Sequence, residues 1–165
     1  MRQSELEAIL KDHKLWIQSG GKQGKRANLQ DVNLQDANLQ DADLYDANLQ
    51  FANLQDVNLQ DANLQDANLY GANLVGADLR CANLHGANIA RAYLHNANLY
   101  GANLTGANLV GANLVGAKFT TNFKKVRWFN FATFSEDQLP WVVLHPSYPK
   151  WAGTIKWVKA KQLSA

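Results

Sequence analysis

From Ala27 onward the chain follows one apolar rhythm. A small residue, Ala or in two places Val, is followed two positions later by Leu, Ile or Phe, and the pair returns every five residues. The units read ANLQD, VNLQD, ANLQD, ADLYD, ANLQF, ANLQD, VNLQD, ANLQD, ANLYG, ANLVG, ADLRC, ANLHG, ANIAR, AYLHN, ANLYG, ANLTG, ANLVG, ANLVG and AKFTT, nineteen without a break to Thr121. A period of five suits neither regular element. On an α-helix five residues rotate the side chain by roughly 500°, so the Leu positions would spiral around the axis and leave no buried face. On a flat strand an odd period throws successive Leu residues onto opposite faces. The chain must therefore change direction once per unit.

Within a unit, Ala27 and Leu29 point the same way, as alternation along a short extended segment requires. If the next two residues make a corner, the following Ala is aimed inward again, and four corners of about 90° close a square coil. Twenty residues then make one turn. Coils stacked at strand spacing, about 4.8 Å, give close to five turns and a rod roughly 23 Å tall. The interior is a column of Leu with Ala filling the gaps, because a space that takes Leu at one position leaves room only for a small partner. Val32 and Val57 are the exceptions. The Asn or Asp before nearly every Leu is read as structural, bonding the backbone at the turn or forming a ladder between coils. Glycines at the fifth position, among them Gly71, Gly76, Gly101, Gly106 and Gly111, are expected at corners that need positive φ.

The A(N/D)LXX motif, carried by Ala27–Thr121, resembles that of the pentapeptide-repeat proteins, most of all small cyanobacterial members. The resemblance implies an all-β solenoid, a right-handed quadrilateral β-helix, with a handedness that periodicity alone does not fix.

The two flanks read as caps, which a solenoid needs because its end coils expose core. Residues 1–26 form a helical cap and linker. Ser4 and Glu7 make a capping box, and Leu6, Ile9, Leu10, His13 and Ile17 follow at helical spacing, which predicts a helix near 4–18 over the first coil, ended by Gly20 and Gly21. Residues 27–121 are the repeats. After them Phe119, Phe123, Phe129 and Phe134 are four, six and five residues apart. A one-residue slip is thus compensated, and 122–136 reads as an irregular terminal coil with Ala132, Thr133 and Phe134 back in the small, polar and large positions. Residues 137–165 are a C-terminal cap in which Trp141, Trp151 and Trp157 plug the last coil.

The net charge of +2 hides a partition. Residues 27–66 hold Asp31, Asp36, Asp41, Asp43, Asp46, Asp56, Asp61 and Asp66 with no Lys or Arg, while the ends are basic, from Lys22 and Arg26 to Lys118, Lys156, Lys159 and Lys161. Cys81 is alone, so no intrachain disulfide is possible. The first residues carry charges throughout and no run reaches membrane-spanning length. The expected compartment is the cytoplasm, a previously removed leader aside, and no membrane contact is expected.

Chemistry is thin. His85 and His95 lie two repeats apart, on opposite sides of the square, and His13 and His145 belong to opposite caps, so no metal or cofactor is expected. No nucleophile elbow or phosphate-cradling loop is present, and the chain reads as a non-enzyme. Cys81 reads as an outward corner thiol beside Arg80.

Two surfaces remain. Stacking every fourth repeat sets Asp36 over Asp56, Asp41 over Asp61 and Asp46 over Asp66, an acidic collar whose close like charges cost stability. Tyr70, Val75, Tyr93, Val110 and Val115 fall on two adjacent faces of the other half as an apolar patch suited to a protein contact. The first reading is a scaffold or protein–protein interaction module, a monomer or weak homodimer with an unidentified protein partner. The alternative rests on the resemblance, since some pentapeptide-repeat proteins protect DNA gyrase by imitating DNA. Direct nucleic-acid binding is not expected, because Lys156, Lys159 and Lys161 alternate with apolar residues.

Overall fold

The computed structural model describes residues 1–119, 132–135, 138 and 155–158. The chain opens with helix α1 (Gln3–Gln18), one residue earlier than the sequence suggested. The Ser4–Glu7 capping box does not form. Arg2 is the extended N-cap, and Glu5, three residues on, accepts the Arg2 backbone N–H (3.0 Å) and its guanidinium Nε (2.9 Å). The Arg2 guanidinium on it holds the Glu5 carboxyl below its ordinary pKa. Glu7 instead accepts from the Gln3 amide (3.0 Å), one turn back. The helix ends as expected at Gly20 and Gly21, with φ of 61° and 83°.

The linker then folds back along the helix. The Lys25 N–H donates to the Asp12 carbonyl (3.3 Å). Gly24 makes this approach possible, because a Cβ there would stand 2.1 Å from the same carbonyl oxygen. Leu6 and His13 are buried by the packing of the helix, Leu6 as part of the core, with Ile9 and Leu10 packed partly buried against that core.

From Ala27 the twenty-residue coil is explicit. Asn28 lies in parallel register with Asn48, Asn33 with Asn53, Asn38 with Asn58 and Asp43 with Asn63, and the same offset carries up the rod to Tyr93 with Asn113. Three backbone bonds join each face to the next coil. Leu29 N–H donates to Asn48 O (2.7 Å), Asp31 N–H to Gln50 O (2.9 Å), and Asn48 N–H returns to Ala27 O (3.0 Å). At each corner the chain turns on a bond from the next unit's first N–H to the Leu carbonyl, as from Ala37 to Leu34 (3.1 Å). Each face pairs over one residue or two, so the ladder is a series of bridges, joined by strands β1 (Asn98–Leu99) and β2 (Lys118–Phe119), which pair in parallel.

Every fifth residue from Asp31 to Gly116 has positive φ. That was expected of the glycines. It holds equally for the aspartates, which the charge pattern alone did not reveal as conformational choices; Asp and Asn enter the left-handed region at lower cost than other side-chain-bearing residues. The core is the predicted column, Leu29 to Leu114 with Ala between, and Val57 is fully buried while Val32 packs against the core from a half-buried position.

Beyond the repeats, strand β3 (Thr133–Ser135) puts Thr133 in register with Asn113, with Ala132 and Phe134 buried. Thr133 thus stands in the expected register; the slip itself falls on Phe123 and Phe129, which lie outside the described residues, as do Trp141, Trp151 and His145. One more layer was not foreseen. Strand β4 (Lys156–Val158) pairs in parallel with β3, Thr133 against Lys156 and Phe134 against Trp157, with Ile155 buried beside it. Gln138, also buried, donates its side-chain amide to the carbonyls of Leu114 (2.8 Å) and Ala117 (2.6 Å). In the regular coils a backbone N–H twenty-one residues on bonds the Ala carbonyl, as Asn48 does for Ala27, so at Gln138 a side chain takes the place of the backbone.

Candidate interaction surface

The outer faces are organised by asparagine. Each Oδ1 accepts the N–H two residues on, as Asn53 does from Gln55 (3.3 Å). In most of the columns Nδ2 reaches down one coil, as from Asn53 to Asn33 (3.0 Å) and from Asn73 to Asn53 (2.9 Å). Both structural roles expected of these residues are thus filled at once, by the same side chain. Asp43 serves as acceptor at the foot of its column, from Asn63 (2.9 Å).

Against this regular surface two residues break the local rule beside one edge of the rod. Phe51 occupies a fifth position with φ of 55°, where a bulky side chain costs about 1–2 kcal/mol. Its ring gains no core in return, being 52% exposed. Tyr93 stands in an asparagine position, 56% exposed, and interrupts the ladder of Asn33, Asn53 and Asn73. Between them lie Tyr70 and Arg91. Tyr70 meets Phe51 edge to face at 5.4 Å between centroids, and the Arg91 guanidinium lies over the Tyr70 ring at 5.7 Å. Gly71 stacks between Phe51 and Arg91 in the corner column, and a Cβ there would be 2.6 Å from the Phe51 ring. Glycine is what lets the phenyl ring lie down along the edge.

The sequence reading named Tyr70 and Tyr93 but missed Phe51 and Arg91. The signal was available: Phe51 is the one phenylalanine at a fifth position of the repeats, where Asp or Gly is the rule. Of the other patch residues, Val75 and Val110 are half-buried. Val115 is only 5% exposed, so its expected place on an open face is corrected: it belongs with the covered residues.

In the acidic collar, Asp36, Asp41, Asp56, Asp61 and Asp66 are exposed and Asp46 is half-buried against Arg26 (3.1 Å). The preceding glutamines donate to several of these carboxylates, Gln55 to Asp56 (3.1 Å) and Gln60 to Asp61 (3.0 Å). Like-charge stacking is thereby offset by local amide bonds. Above the collar, the side chains of Asp56 and Asp66 lie over Gly76 and Gly86, where a Cβ would meet their oxygens at 2.1 and 2.2 Å.

His85 and His95 fall on opposite faces of the coil, and among the described residues no group of His, Cys, Asp and Glu is arranged to hold a metal ion. Cys81 is an exposed corner thiol. Its neighbour Arg80 is committed elsewhere, to Asp78 (2.6 Å) and Gln60 (2.8 Å), and this guanidinium holds the Asp78 carboxyl below its ordinary pKa. Among the described residues no helix is long and apolar enough to cross a membrane.

Parallel coils of twenty residues, a Leu–Ala interior and left-handed corners define a four-sided repeat solenoid. The pentapeptide repeats family model matches in eight copies, over residues 25–61, 58–96 and 87–121, more than half of the sequence, and the chain belongs to that family. Membership of that family implies the right-handed quadrilateral β-helix. Among solved structures the chain is similar to HetL of Nostoc sp. PCC 7120, described as involved in heterocyst differentiation regulation, at 31% identity over 67% of this chain and 54% of that one, with a TM-score of 0.33. It spans about half of that protein's length. It is similar to Rfr23 of Cyanothece 51142 at 40% identity, over 62% and 67% of the two chains, TM-score 0.41. QnrB1, a plasmid-mediated fluoroquinolone resistance protein, aligns at 22% identity over 71% and 57%, TM-score 0.49. No curated protein matches the sequence.

Proposed function

We propose that this chain is a non-enzymatic protein-interaction module whose contact site is the edge formed by Phe51, Tyr70, Arg91 and Tyr93, with Val75 and Val110 on the flanking faces. Residues 27–121 are the rigid rod, 122–136 an irregular coil, and 1–26 and 137–165 the caps. The observation that carries the reading is Phe51, an exposed aromatic ring held in a backbone conformation that favours Asp or Gly and braced there by Tyr70. Local rules broken without a gain in burial mark function more often than stability. Aromatic rings flanked by arginine are also the residues that anchor protein interfaces. Affinity capture from the source organism with the wild type and with a folded Phe51→Asn, Tyr93→Asn double variant tests it. A stoichiometric protein retained by the first and lost by the second is expected; equal retention by both sinks the reading.

The second reading is a DNA-mimicking regulator of DNA gyrase. The stacked, solvent-facing aspartates of the first two coils favour it. Their arrangement favours it less, because the acids ring the rod as a collar instead of running along it, and the column that begins at Asp31 passes to Phe51 in the next coil. Unchanged gyrase supercoiling at stoichiometric protein would remove this alternative.

A further inference from the structure

His13 and Gln138 are the buried polar side chains among the described residues, and His13 is the one that titrates. Its Nδ1 accepts the N–H of Ala27, the first residue of the first coil (3.0 Å), and its ring stacks on Trp16 of the same helix (5.7 Å between centroids, planes 12° apart). Because Nδ1 accepts, the neutral ring carries its proton on Nε2. Nε2 is buried and has no hydrogen-bond partner.

The groups facing the ring come from two elements besides its own helix. The first coil contributes the Asp43 and Asp46 carboxylates and the Tyr45 backbone carbonyl, which favour the cation, and the linker contributes Arg26, which opposes it. Arg26 also pairs with Asp46 (3.1 Å) and so weakens that carboxylate's pull. Burial outweighs both acids and holds the His13 pKa below its ordinary value.

We propose that His13 is a pH-sensitive latch that holds helix α1 on the first coil, released when Nδ1 gains a proton. The protonated ring presents a donor where Ala27 also presents one, so the bond that seats the ring becomes a repulsion. Release uncovers Leu6 and the outer edge of the coil 27–46, which has no preceding coil to pair with; there the Met1 ammonium reaches the Asn33 carbonyl (3.5 Å). An uncovered parallel edge is a template for another strand.

The docked state favours the neutral ring and the released state titrates normally, near pH 6.5. Docking is therefore at full strength above that pH and weakens as pH falls through it, about tenfold per pH unit for one proton, until the lower docked-state pKa is passed.

Amide hydrogen exchange on the full chain between about pH 7.5 and 4.5, corrected for intrinsic rates, reads this directly. Protection of Ala27 and of the α1 amides is expected to fall as the pH drops below roughly 6.5, by at most about tenfold per pH unit and levelling off below the docked-state pKa, while the mid-rod Leu64 amide, bonded to Asn83 O (2.8 Å), keeps its protection. His13→Gln retains an acceptor for Ala27 but no titrating proton, and its profile is expected to be flat. Nitrogen-15 shifts of the wild-type imidazole supply an independent measure: Nδ1 must be bare whenever the helix is docked. Flat protection of Ala27 in the wild type, a protonated Nδ1 in the docked state, or wild-type pH dependence in a docked His13→Gln each overturns the proposal. If His13→Gln does not dock, the wild-type profile and the nitrogen shifts decide it alone.

Discussion

Tyr70 meets Phe51 edge to face, with ring centroids 5.4 Å apart and planes at 90°, one coil apart on the outside of a rod whose other surfaces are mostly polar. Two opposing terms act on Phe51. The left-handed backbone costs about 1–2 kcal/mol, and the aromatic pair returns about 0.5–1.5 kcal/mol. Phe51→Asn removes both, since Asn tolerates the corner as Asn96 does at φ of 58°. The expected outcome in denaturant unfolding is a stability between about 0.5 kcal/mol lower and about 1.5 kcal/mol higher. A loss greater than about 1 kcal/mol would show that the ring is there for the fold.

Tyr93→Asn restores the interrupted ladder. The new amide can donate to Asn73, accept from Asn113 and accept the His95 N–H, as its counterparts do in the coils on either side. At roughly 0.5–1.5 kcal/mol for each bond, less the competition with water at a half-exposed site, a net gain of about 1 kcal/mol is expected. Thermal unfolding of the single variant checks it, and a lower midpoint contradicts the account of the ladder.

Asn53→Ala is the reverse experiment in the unbroken stretch of the same column, below Tyr93. It deletes the bonds to Asn33, Asn73 and Gln55, at 3.0, 2.9 and 3.3 Å. A loss of about 1–3 kcal/mol is expected. The same change at Tyr93, Tyr93→Ala, lacks these partners and is expected to cost less, so unfolding both variants separates the ladder from general surface truncation.

Gln138→Leu keeps the bulk but removes both donors, leaving the Leu114 and Ala117 carbonyls without the side-chain amide that now bonds them. A cost of about 1–3 kcal/mol is expected. Because solenoid coils depend on their nearest neighbours, the loss should be felt first at that end of the rod. Hydrogen exchange should show it at Ala117 and Lys118 well before Leu64; uniform loss of protection along the rod would contradict the local assignment.

The histidine latch makes the opposite end of the rod sensitive to acid, so the two ends are expected to fray for different reasons. One depends on a neutral imidazole at Ala27, the other on an amide that does not titrate.

Periodicity alone determined the coil. Five-residue spacing of Leu29, Leu34 and Leu39 fits no straight element, and the alternation of Ala and Leu leaves one way to bury both, so the register of Asn28 on Asn48 was legible in the spacing itself. The return of register at Thr133 was legible for the same reason. Tertiary structure decided what depends on neighbours twenty residues away or on backbone angles with no sequence period of their own. The aspartates proved to be corner residues as much as charges, because φ is a property of the closed turn. Val115 is covered although its place in the repeat points it outward. The site at Phe51, Tyr70, Arg91 and Tyr93 exists only because stacking brings residues of three successive coils to one edge. Helix α1 is seated through His13 because a neutral imidazole can accept a hydrogen bond, a choice made by burial and invisible in the spacing of its apolar residues.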